Sequence, residues 1–154
     1  MPRFKSFSGS DTKPSIGVYS YPTKGLSGVT AQFEFDVSGF RDPAGQKQFK
    51  GRTKLSEAGS LVPLNGVDSE VYEWVAKDPR IPAIIGDCRI LAEDQIRPKA
   101  DGKALSVWLS LSFKDYHGIW IAPAVAELVA NALSDDGFNI VVHHFCEKTV
   151  APAK

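Results

Sequence analysis

In the stretch ALSVWLSLSF, residues 104–113, every second side chain is large and apolar: Leu105, Val107, Leu109, Leu111 and Phe113. That period of two belongs to a β-strand with one buried face. The other face carries Ser106, Trp108, Ser110 and Ser112. A solvated strand face ordinarily bears Lys, Glu or Thr. Three small hydroxyls around an indole instead make a flat surface with an aromatic anchor, the composition of a contact patch. These four residues are therefore the candidate partner-binding site. The competing explanation is internal: Phe4 and Phe7 of the N-terminal segment are available to cover Trp108.

A buried strand face needs cover, since each large apolar side chain contributes about 1.5 to 3 kcal/mol only when removed from water. Two helical stripes are available. Val67, Val71, Trp74 and Val75 recur at helical spacing, with Asn65 or Asp68 placed to cap and Asp78-Pro79 to stop. Val125, Leu128, Val129, Ala132 and Leu133 form the second stripe, opened by Pro123 and closed by Gly137. Other strands are expected at 16–21, at 88–96 and at 138–145. The segment 29–37 is the clearest: Val29, Ala31, Phe33, Phe35 and Val37 alternate with polar residues, the antiparallel signature. A turn at Asp42-Pro43-Ala44-Gly45 then returns the chain as a second, basic strand, and Ile119–Ala122 reads as a short apolar strand.

The expectation is an α+β fold: an antiparallel or mixed sheet of five to six strands, with two helices packed on one face. Residues 15–147 form a single domain in this reading, with flexible tails at 1–14 and 148–154. A chain of 154 residues with 43% hydrophobic and 23% charged residues is long enough for a core, which excludes disordered and fibrous classes. The start MPRFKSFSGS has no apolar core of a signal peptide, and the run 119–126 is too short to cross a bilayer. A cytoplasmic protein without membrane contact is expected. Cys88 and Cys146 show no metal-ligand spacing, and whether they pair cannot be argued from the sequence.

Eighteen basic and eighteen acidic side chains cancel, so the chain is no bulk polyanion binder. Locally, Arg41, Lys47, Lys50, Arg52 and Lys54 face one acid, Asp42. Phe40 and Phe49 lie among them, and cations with stacking rings suit single-stranded nucleic acid; a charged hairpin protecting a sheet edge explains the same residues. Weak catalytic candidates are Asp115 with His117 at a strand end, where an acid can orient a base, and His144. His144 and Cys146 share a strand face and could ligate a metal with Cys88 or His117, but in no recognised spacing, so no metal site is expected. Glu93 and Asp94 face opposite ways if in a strand and make poor partners. No phosphate-binding loop, dinucleotide fingerprint or zinc finger occurs, and no cofactor is expected.

The functional expectation is a non-catalytic binding protein, acting through its sheet surface on a protein partner or by self-association. The alternatives are nucleic-acid binding through residues 40–54 and a small enzyme using Asp115 and His117.

Overall fold

A computed structural model describes residues 3–6 (backbone only), 14–23, 31–40, 48–49, 52–55, 58–116 and 120–145. In chain order the elements are β1 (Arg3–Ser6), β2 (Ile16–Pro22), β3 (Phe33–Asp36), β4 (Thr53–Leu55), β5 (Leu61–Pro63), α1 (Ser69–Ala76), α2 (Ile81–Gln95), β6 (Leu109–Asp115), α3 (Ile121–Asp135) and β7 (Ile140–His144). The main sheet has the order β1-β7-β2-β6-β3, while β4 and β5 pair by themselves as an antiparallel ribbon.

The α+β class holds, but the expected antiparallel or mixed sheet of five to six strands is corrected to a sheet whose body is four parallel strands. β3, β6, β2 and β7 all run parallel, and only β1, at one edge, is antiparallel to its neighbour β7. The alternation that suggested antiparallel pairing at 29–37 has another cause. β3 is the opposite edge strand, so Glu34 and Asp36 stay in water although their strand is parallel. The central strands show the burial on both faces that parallel sheets require, with six of the seven β2 residues buried and only Tyr19 half-buried. Parallel neighbours need long crossovers. Helices α1 and α2 make the one from β3 to β6, and α3 makes the one from β6 to β7.

Among the described residues there are three helices, where two were expected. The region 88–96, expected as a strand, is the second half of α2. Its buried residues Ile81, Ile84, Cys88 and Ala92 follow helical spacing, and Ile90, assigned inward by the strand pattern, is 68% exposed. Leu105 and Val107 are likewise exposed, since β6 begins only at Leu109. Ile121 and Ala122 open α3 rather than end a strand. Asp68 occupies the N-cap position of α1 without a side-chain capping bond, and Gly137 follows α3 with φ +94°, the left-handed stop its sequence implied. The segment expected as an N-terminal tail contributes β1. Among the described residues no helix is long and apolar enough to cross a membrane.

One core unites these layers. Helix α3 lies across β2, β6 and β7, and α1 and α2 pack against α3. Ile16 and Val18, Leu109, Leu111 and Phe113, and Ile140 and Val142 meet Val125, Val129 and Leu133 of α3. A smaller cluster of Phe49, Leu64 and Val71, with Trp74 and Trp120 beside it, holds the ribbon side of the molecule.

Candidate functional site

Two groupings of chemistry-bearing residues arise on opposite faces of the main sheet. On the helix face, alternation along β2 and β7 turns Ser20 and His144 inward as register partners. The Ser20 hydroxyl is 2.6 Å from His144 Nδ1, and His144 Nε2 is 2.8 Å from Glu127 Oε2 of α3. All three are buried, at 0%, 2% and 5% exposure, so the hydrogen bonds among them stand in for partners that water would otherwise supply. Asp115, at the end of β6 on the same face, accepts a hydrogen bond from the Ala122 amide in the first turn of α3. A carboxylate there also suits the positive end of the helix. These groups stand toward the carboxyl ends of parallel strands, where open α/β sheets commonly hold ligands. Chemically, serine on imidazole and imidazole on carboxylate is the arrangement of an activated nucleophile. Ser20 is nevertheless fully enclosed beneath α3.

The opposite face presents Gly17, Tyr19 and Tyr21 of β2, Ser110, Ser112 and Lys114 of β6, and Val141 and His143 of β7, with Phe145 just beyond. It is built around rings. Tyr19 lies 6.4 Å from His143 and 6.5 Å from Phe145 between centroids, and His143 and Phe145 are 4.5 Å apart. Trp108 extends the patch by lying over Gly17, where a side chain would collide with it. Tyr19, Trp108, His143 and Phe145 are all half-buried. Burial raises the Tyr19 phenol above its ordinary range. Burial, and behind it the neighbouring His144, holds the His143 imidazole below the usual histidine range. At the far side Tyr21 donates to Glu34, and Ser38 holds Asp36 below the usual carboxylate range through its hydroxyl and amide.

The four residues of the expected contact patch are placed apart from one another. Trp108 lies on the helix-free face, but Ser106 turns to Gln95 of α2 through both backbone and hydroxyl. Ser110 exchanges hydrogen bonds with Gln32, and Ser112 is completely buried, its hydroxyl without a partner among the described residues. Small residues occur on this strand because the rings of β2 need the room: Tyr19 stands opposite Ser112 in the register. Alternation in HHFC puts His143 and Phe145 on one strand face, but no local pattern in the sequence joins them to Tyr19 of IGVYSY.

The described residues of the basic segment are engaged within the chain. Arg41, Lys47 and Lys50 lie outside the described residues. Phe49 is 4% exposed and packs edge-on against Trp74 and Trp120, so it cannot stack on a base. Arg52 is paired with both Glu70 oxygens, and Lys54 Nζ is 2.7 Å from Asp68. His117 and Cys146 also lie outside the described residues, and Cys88 is a free buried thiol pushed up to about 12, chiefly by burial. Among the described residues no group of three His, Cys, Asp or Glu side chains is placed to hold a metal ion. Glu93 and Asp94, being on α2, engage Arg97 and Lys99. No protein-family model matches this chain, and neither does any curated protein.

Proposed function

We propose that the chain is a binding protein that acts through the helix-free face of its sheet, its first partner being a second copy of itself. The observation that carries this reading is the contiguous patch of half-buried rings, Trp108, Tyr19, His143 and Phe145, on a face to which no described helix packs. Aromatic anchors dominate protein interfaces because they bury much area for little side-chain entropy. A formally neutral chain also meets its own copy without long-range repulsion. Light scattering at low and high salt tests it. A salt-resistant dimer that Trp108→Ser and Phe145→Ser each weaken about tenfold or more, with unchanged circular dichroism, is the expected result. A monomer at all concentrations and salts ends the proposal.

An enzymatic reading has one specific observation in its favour, the Ser20–His144–Glu127 chain. Its consequence is covalent labelling of Ser20 by a fluorophosphonate, in which the serine oxygen displaces fluoride and its proton passes to His144. Labelling abolished in His144→Ala supports that reading; an unlabelled native chain removes it. The enclosure of Ser20 favours the binding reading over this one.

A further inference from the structure

Leu105 and Val107 are 63% and 92% exposed, and they stand on either side of a serine that is fixed inward. The Ser106 amide donates to the Gln95 carbonyl at 2.8 Å and its hydroxyl to Gln95 Oε1 at 3.0 Å, so the end of α2 clamps the chain just before β6. Beyond the clamp, Trp108 lies over Gly17 and the Leu109 amide donates to the Ser15 carbonyl. We infer that Leu105 and Val107 anchor the contact between two copies of the chain, and that Gln95 is the residue that positions them. This deepens the proposed contact face and rests on it.

Area is the first argument. Tyr19, Trp108, His143 and Phe145 are each half-buried. Since a whole aromatic side chain carries about 150 to 250 Å², four such rings leave on the order of 300 Å² open. A stable interface takes about 800 Å² from each partner. The rings therefore need apolar neighbours, and Leu105 and Val107 lead directly into Trp108 along the chain. Charge is the second argument. Residues 104–110 carry no charged side chain, so this segment meets its own copy without like-charge repulsion. The third is preorganisation. The bonds of Ser106 and Leu109 hold the segment before any contact is made, which leaves less backbone freedom to lose on association. Leu55 and Leu61 are comparably exposed, at 70% each, but belong to the separate ribbon of β4 and β5.

Sedimentation equilibrium of the full chain and its variants, with circular dichroism and urea unfolding of each, tests the inference. Val107→Ser is expected to raise the dimer dissociation constant about tenfold or more at an unchanged unfolding midpoint, because so exposed a side chain adds little to the core. Gln95→Ala leaves every exposed apolar side chain in place and removes the acceptor of the Ser106 hydroxyl. It is expected to raise the constant about threefold or more, and Gln95→Glu, which keeps an acceptor, to restore it. Leu55→Ser is the control and should associate like the native chain. Native affinity in Val107→Ser, or an equal loss in Leu55→Ser, overturns the inference while the contact face still stands on Trp108→Ser and Phe145→Ser. Native affinity in Gln95→Ala overturns the positioning role. Failure of the native chain to associate removes the contact face itself, and the inference with it.

Discussion

Gly17 and Trp108 interlock on the helix-free face: a Cβ placed on Gly17 would lie 2.5 Å from Trp108 Cζ2 and 2.6 Å from the Tyr19 hydroxyl. The missing side chain at one position is the seat of the indole at the other. Gly17→Ala should therefore destabilise the chain by about 1 to 3 kcal/mol, as overpacked methyl groups do. Adding Trp108→Leu should recover part of that loss, because the two changes act on one contact. Urea denaturation of the two single variants and the double variant checks this; strict additivity would mean that the indole is not what Gly17 makes room for.

Removing one member of the buried polar chain takes a buried hydrogen bond from each group it touches. His144→Ala is expected to cost about 3 to 5 kcal/mol, and Ser20→Ala about 1 kcal/mol, because the first removes a buried ring and two hydrogen bonds and the second a single hydroxyl. The double replacement His144→Leu with Glu127→Leu should be milder than His144→Ala alone. Chemical denaturation curves for these variants measure the order, and a mild His144→Ala would show that the core admits water to Glu127.

Burial, with Asp87 adding to it, pushes the Cys88 thiol up to about 12. A thiolate is then scarce at neutral pH, and native Cys88 should resist a disulfide reagent until the chain unfolds. The readout is the number of fast-reacting thiols in native and in denaturant-unfolded protein, with Cys146→Ser used so that only Cys88 contributes. Rapid native reaction would contradict the packing of α2 against the core.

The Tyr21 hydroxyl is pushed up to about 12, first by burial and then by its hydrogen bond to Glu34. In the unfolded chain it titrates near 10, so between about 10 and 12 the unfolded state holds fewer protons and stability falls as pH rises. Below about pH 10 this group contributes no pH dependence. Thermal melts across the alkaline range should show the loss in the native chain and a shallower one in Tyr21→Phe.

Arg97 closes the ends of two helices. It pairs with Glu93, donates 3.1 Å to the Asp136 carbonyl beyond α3, and lies 4.2 Å over the Phe138 ring. Arg89, by contrast, makes only an exposed ion pair with Asp136. Arg97→Ala should cost about 1 kcal/mol and Arg89→Ala less than about 0.5 kcal/mol, since exposed pairs contribute little and ring contacts and carbonyl bonds add to them. Paired melting curves decide, with equal losses counting against the role of Phe138.

By itself the sequence determined those elements whose signal lies within one turn or one strand. The stripes of α1 and α3, the stop at Gly137 and the alternation of Phe33–Asp36 follow from local spacing, because helical and extended backbones impose their own periods on buried side chains. Strand direction and order were decided only in the tertiary structure. An amphipathic edge strand reads the same whether its neighbour is parallel or antiparallel, and the segment 81–96 carries apolar residues that satisfy either period until one face is chosen for burial. The candidate sites depend on that choice most of all. Ser20 meets His144 across a separation of 124 residues, and Trp108 meets Gly17, because β6 and β7 both flank β2 in the sheet. Such pairings are set by which surfaces the fold must cover together, a property of the packed layers that no local pattern contains.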